Sequence, residues 1–282
     1  NNEKMKTTLL FILLIASPYF FAQTTAIPDP NFEQALIDLG HDDVLDGQVL
    51  TAKIDTLIGL NVFGKNISDL TGIEDFVSLQ NLRCSHNYLS ELDVSNNLSL
   101  NFLKCSFNGI SNLTLGDLPL LEMIFCHFNL LTELNLSGLP ELEYLRMNNN
   151  PIVYLNLSAN HNLQTLWCGV TAQLQCLNIA NGNGGPGSIN ALNTPNLSCV
   201  EVDDVAQAIG DWTHDFDPQI TFSEDCDNPC STSNASLEIL HKSPKTLVQI
   251  LDLMGRETTF KPNIPLIYLY DDGSTEKVFV TE

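Results

Sequence analysis

The fold class this sequence predicts is an elongated α/β-type solenoid of stacked parallel strands, capped at both ends. Three observations predict it. Cysteines at 84, 105 and 126 recur every 21 residues, Met147 takes the next slot and Cys168 the one after. The surrounding segments align copy on copy: LQNLRCSHNYLSELDVSNN from Leu79, LNFLKCSFNGISNLTLGD from Leu100, LEMIFCHFNLLTELNLSG from Leu121 and LEYLRMNNNPIVYLNLSAN from Leu142. Asparagine recurs in the same frame at 87, 108, 129 and 150. Self-similarity at this period marks units that stack because one alone cannot bury its apolar face.

Each copy has a legible division of labour. Leu79, Leu82, Cys84, Leu89, Leu92 and Val94 form the inward set, with equivalents in the next copy stacking on them. The recurrent asparagines fall where the chain leaves the strand, where a side-chain amide can bond backbone groups that a tight turn leaves unpaired. A looser copy, LIGLNVFGKNISDLTG from Leu57, has Lys65 in the asparagine slot, and a fifth full copy, LQTLWCGVTAQLQCLNIA from Leu163, carries one extra residue before Leu174. Open apolar ends of a solenoid aggregate unless covered. Ile27 to Gly40 supplies a Pro-Asn start with apolar residues at 32, 36, 37 and 39, which predicts a short amphipathic helix over the first coil. Asn196 to Cys226 begins like a repeat strand and turns into an acidic, irregular cap.

This pattern resembles the leucine-rich repeat, LxxLxLxxNxL, over about residues 50 to 180. The resemblance implies a curved right-handed solenoid with a parallel β-sheet on its concave face. The helical start and the VDD…W…FSEDC ending also look like those of leucine-rich-repeat proteins secreted by some Gram-negative bacteria. The expected organisation is a signal peptide at 1–23, an N-terminal helical cap at 24–49, repeats at 50–180, an acidic C-terminal cap at 181–230 and a separate tail at 231–282.

The first segment reads as an export signal, with Lys4 and Lys6 around Met5 and an apolar run from Leu9 to Ile15 that is too short to span a bilayer. No later run is long enough either, so direct membrane insertion is not expected. After the polar linker CSTSNAS, the tail looks like the C-terminal sorting domain of type IX secretion cargo, in its common class (type A). The matching elements are the turn residues Asp252, Gly255 and Arg256, the strand from Pro265 to Tyr268, and Lys277 before a final apolar strand. The tail is short for that family, and Ile267 stands where a Gly usually precedes the Tyr. The resemblance implies a small β-sandwich that engages the type IX machinery, leaving cargo released or attached at the outer-membrane surface.

Charge excludes other classes. A formal net charge of −22 is incompatible with binding nucleic acid by phosphate neutralisation and argues against docking on anionic lipid. Between Thr24 and Cys230 there are 26 acidic and five basic residues, and three of those five, Arg83, Lys104 and Arg146, fall in one column of the repeat.

Strand alternation puts three columns on the concave sheet. The first holds Asn81, Phe102, Met123, Tyr144 and Thr165; the second Arg83, Lys104, Phe125, Arg146 and Trp167; the third Ser85, Ser106, His127, Asn148 and Gly169. Exposed aromatic residues beside arginine are what binding faces are made of. The expected site is therefore Arg83, Phe102, Lys104, Phe125, His127, Tyr144, Arg146 and Trp167, taking a protein or glycan. The alternative is a structural adhesin or surface-matrix component with no defined ligand site.

No catalytic motif sits on a pocket-forming scaffold, so an enzyme is not expected, nor a cofactor or a metal. The GNGGPG string at 182–187 lies in a loop without the strand-turn-helix context a dinucleotide needs. The repeat cysteines run along the axis and cannot surround one zinc ion, so buried, inert thiols are expected. That leaves Cys176, Cys199, Cys226 and Cys230 for the cap, with three possible pairings, of which Cys199 with Cys226 is the leading candidate. The acids Asp203, Asp204, Asp211, Asp215 and Asp217 leave calcium binding by the cap open.

Overall fold

The computed structural model of the 282-residue protein describes residues 23–226, 230, 247–251, 258, 266–270 and 275–278. The chain divides between Ser233 and Asn234 into two compact units. The first is a parallel-strand solenoid of about eight turns. Its long sheet has seven parallel strands in spatial sequence order: β1 (Gly59–Asn61), β2 (Asn81–Arg83), β3 (Phe102–Lys104), β4 (Met123–Phe125), β5 (Tyr144–Arg146), β6 (Thr165–Trp167) and β7 (Ser188–Asn190). The register is straight, so Arg83 faces Lys104, Lys104 faces Phe125, Phe125 faces Arg146 and Arg146 faces Trp167. The sheet runs past residue 180. The glycine-rich loop before Ser188 and the absence of the cysteine and asparagine marks hide that last strand from the repeat pattern.

The return side of the coils is also built of short parallel strands. Glu91–Asp93 pairs with Asn112–Thr114, and Tyr154–Asn156, Cys176–Asn178, Cys199–Glu201 and Thr221–Ser223 form a second sheet. The alternation Leu92-x-Val94, Leu113-x-Leu115 and Leu155-x-Leu157 is its cause, because each apolar member is buried between the two sides. Cys84, Cys105, Cys126 and Cys168 are unpaired and fully buried. Burial pushes the thiols of Cys84, Cys126 and Cys168 up to about 12 and that of Cys105 well above the ordinary value, which denies them the reactive thiolate.

The N-terminal cap is the helix α1 (Pro30–Asp38), laid beside the antiparallel pair Thr24–Ala26 and Gln48–Leu50. Pro30 suits its first position, and Asp29 caps it by accepting from the amides of Asn31 and Phe32. The other oxygen of Asp29 accepts from the amides of Ser68 and Asp69 and from the Ser68 hydroxyl, tying cap to first coil. Phe32 and Leu36 are buried as their spacing predicts, whereas Leu39, just past the helix, is exposed. Buried Glu33 accepts three amides, from Asp46, Gly47 and Gln48, and so holds the acidic HDDVLDGQ loop.

The C-terminal cap is more regular than its composition suggests. Asp204 caps a helix α2 (Val205–Trp212) whose Ala208 and Trp212 are buried. Trp212 packs against Gly185, where a Cβ would lie 2.5 Å from the indole. Asp203 accepts amides from Gly182 and Gly184, and Asp217 from Asn193 and Thr194, so three of the cap acids bond backbone. Cys199 is disulfide-bonded to Cys226, and Cys176 to Cys230. The second unit shows an antiparallel sheet of three strands, Leu247–Leu251, Leu266–Tyr270 and Thr275–Val278. Asp252, Gly255 and Arg256 lie outside the described residues, as do residues 1–22 of the expected export signal.

Between coils the asparagine column does more than close turns. Asn129 donates to the carbonyls of Cys105 in the previous coil (3.1 Å) and Cys126 in its own (2.9 Å), and accepts from the amide of Ile110 (3.1 Å). Asn108 and Asn150 repeat that geometry, and Asn87 bonds Val62, Cys84, Lys65 and Ile67. Replacing Asn129 by Ala orphans three backbone groups, and with about 1–3 kcal/mol for each buried group left unpaired the loss should reach about 3 kcal/mol or more. Urea unfolding followed by circular dichroism checks this, and a loss below about 1 kcal/mol would show that water replaces the amide at little cost.

Candidate functional site

The exposed face of the long sheet gathers most of the residues singled out above. The middle residue of each strand is buried, so the flanking two point outward. Arg83 and Trp167 are exposed, and Phe102, Lys104, Phe125, Tyr144 and Arg146 are half-buried. Each cation lies over an aromatic ring of a later strand. Arg83 is 5.1 Å from the centroid of Phe102, Lys104 is 6.0 Å from Phe125, and Arg146 is 4.7 Å from Trp167. The rings touch each other as well: Phe102 and Phe125 are 5.5 Å apart, and Phe125 stacks on Tyr144 at 4.8 Å. Cation–π contacts of this kind preorganise long side chains. Arg83 and Arg146 are further fixed by hydrogen bonds from Nε to the side chains of Asn81 and Asn148. Among the described residues the only ion pair is Lys65 with Asp38, so these three cations face solvent without a carboxylate.

The third column departs from expectation. Ser85, Ser106 and His127 are buried, not presented. Alternation holds only within the three-residue strand. Just beyond it the backbone enters a left-handed turn, with φ between 54° and 63° at His86, Phe107, Phe128, Asn149, Val170 and Asn193. At His86, Phe107 and Phe128 that turn swings the preceding side chain under the surface. His127 therefore lies beneath the face instead of on it, packed against Phe107 and Phe128, with Nδ1 lacking a hydrogen-bond partner. The residues displayed in its place are His86, Phe107 and Phe128.

A further feature lies beside Thr165 in β6: a groove of about 440 Å³ whose polar lining includes Glu143, Asn162, Gln164, Asn183 and Ser188. Asn162 and Gln164 come from one coil, Glu143 from the coil before it and Asn183 from the GNGGPG loop, a juxtaposition that no single repeat discloses. Among the described residues no cluster of three or more His, Cys, Asp or Glu is placed to hold a metal, and no helix is long and apolar enough to cross a membrane.

With the fold and this face in view, comparison shows a shared fold: the chain is similar in structure to leucine-rich-repeat internalins of Listeria monocytogenes. The functional domain of InlJ, which includes a cysteine ladder, superposes with a TM-score of 0.50 and 21% identity over 71% of this chain. This chain spans only 61% of that structure's length. Internalin InlF aligns at 14% identity (TM-score 0.40; 70% of this chain, 68% of that one), and internalin C2 at 19% (TM-score 0.40; 72% and 99%). No protein-family model and no curated protein matches the sequence.

His127 offers a test of the buried third column. Burial first, then the positive charges of Arg146, Lys104 and His86, lower its pKa to about 4 from an ordinary 6.5. The unfolded chain then binds a proton between those values that the folded chain refuses, so the stability His127 allows above pH 6.5 is lost as pH falls towards 4. Replacing His127 by Gln should flatten the melting temperature across that window relative to the wild type. Parallel pH profiles for the two proteins would show instead that the imidazole titrates freely.

Proposed function

We propose that this chain is a secreted or cell-surface binding module that recognises a protein or glycan through the exposed face of its seven-stranded sheet, and that it acts by binding, not catalysis. One observation carries the reading. In a solenoid dominated by acid, Arg83, Lys104 and Arg146 stand in one column, without a carboxylate partner among the described residues and held over aromatic rings. Ordered aromatic and arginine side chains that remain accessible are the usual anchors of an interface. The return side, with Glu91, Asp93, Asn112, Glu133 and Asn135 outward, has no such concentration.

Partners can be found by presenting residues 24–230 to a glycan array and to a panel of purified surface proteins. The double variant Arg146→Ala, Trp167→Ala should unfold at nearly the wild-type temperature and lose roughly 2 kcal/mol or more of affinity per anchor. Glu133→Ala on the return side is the control. Normal binding by the double variant would remove the face from consideration and leave the structural-adhesin alternative.

The tail is proposed as an export address read by the type IX machinery, after the leading segment has directed passage through the inner membrane. Support comes from the sequence resemblance at Asp252, Gly255, Arg256 and Lys277 and from the separation of the tail as its own unit. Deleting Ser236 to Glu282 should leave a folded repeat domain that accumulates in the periplasm of the native host. Delivery of the truncated protein to the cell surface at wild-type levels would refute the assignment.

A further inference from the structure

The turns that end the strands of the long sheet carry a second array. At the left-handed position the chain places Gly64, Asn149 and Asn193 in three coils, residues that tolerate positive φ. In four others it places His86, which is also found there, and Phe107, Phe128 and Val170, bulky or β-branched residues that rarely adopt it. The rings of His86, Phe107 and Phe128 form a ladder along the solenoid axis with Phe63. His86 is 4.9 Å from Phe63, Phe107 stacks on His86 at 4.4 Å, and Phe128 stacks on Phe107 at 4.5 Å. Phe63, Phe107 and Phe128 are 54%, 39% and 42% exposed. The strain accepted at Phe107 and Phe128, whose rings meet solvent, points to use of those rings.

What the ladder displays narrows the ligand. Phe107 has a ring against both of its faces, so solvent meets its edge, and aromatic edges carry positive partial charge. On the sheet Arg83, Lys104 and Arg146 cover faces of Phe102, Phe125 and Trp167. Sugar stacking needs open faces, whereas ring edges and bare cations suit carboxylates and apolar side chains. Ladder and cation column are neighbours, since His127 touches Phe107 and Phe128 and also feels the charges of Lys104 and Arg146. Arg83 to Arg146 spans three strand spacings, about 14 Å, the reach of about four or five extended residues.

We propose that the ring ladder and the cation column together dock an extended acidic polypeptide segment laid across the strands, its carboxylates on Arg83, Lys104 and Arg146 and its apolar side chains on the edges of Phe107 and Phe128. This rests on the sheet-face function above and names its partner class. The probe is a fluorescein-labelled peptide of alternating Glu and Val, titrated with the full chain by anisotropy at neutral pH and several salt concentrations. Replacing all three cations by Gln should weaken binding roughly tenfold or more and flatten its salt dependence. The variant Phe107→Asn, Phe128→Asn, which places at both turns the residue found at 149 and 193, should melt no lower than wild type and bind about fivefold more weakly with the salt slope retained. Equal binding by wild type and both variants, no binding by wild type, or equally tight binding of a Lys-Val peptide overturns the proposal. Tighter binding of a sulfated dextran or of laminarihexaose overturns it in favour of an acidic or a neutral glycan. Failure of the Glu-Val peptide to displace a partner that depends on Arg146 and Trp167 also overturns it, while leaving the sheet-face function standing.

Discussion

The side-chain amide that bridges one coil to the next is the interaction on which the solenoid depends. Each turn after a strand of the long sheet bends through a left-handed residue and leaves carbonyls and amides pointing into a space with no backbone partner. Asn87, Asn108, Asn129 and Asn150 fill it, taking carbonyls from two coils at once and returning an acceptor to the earlier coil. Buried backbone groups are expensive to leave unpaired. The amide therefore ties each coil to the one before it at the turn, extending the spacing and phase of the strand ladder, and the leucines and cysteines pack within that frame. Where the column lapses, other groups take over. Thr194 bonds the Ala191 carbonyl, and Asp217 accepts the amides of Asn193 and Thr194 from the next coil.

Phase between coils is also what makes the outward face a surface instead of a set of isolated side chains. Straight register puts Arg83, Lys104, Phe125, Arg146 and Trp167 on adjacent strands, close enough for every cation to rest over a ring. The same left-handed turn has two effects at its own level. It buries Ser85, Ser106 and His127, and it lifts His86, Phe107 and Phe128 into a ladder beside the sheet. Acid is handled differently from base in this molecule. Asp29, Glu33, Asp203, Asp204 and Asp217 are engaged with backbone amides at the two ends, where helix starts and loops need acceptors, while the long-sheet cations keep their charge for solvent.

By itself the sequence determined the repeat, and with it the fold. A period of 21, an inward apolar set and recurrent Asn are one-dimensional signals, and a solenoid is nearly one-dimensional, since each coil meets only its neighbours. The first two outward columns were legible for the same reason, because alternation within a strand is a local rule. Tertiary structure alone decided the rest. Alternation gives no warning that the backbone turns left-handed after the strand, so His127 was expected outside and lies inside, while its neighbours Phe107 and Phe128 are the rings on show. Nor does one repeat reveal the strands of the return side past residue 180, the groove beside Thr165, or the helix formed at Val205 to Trp212 within an acidic stretch. Each of these depends on groups separated by one or more whole coils, and only the stacking distance brings them together.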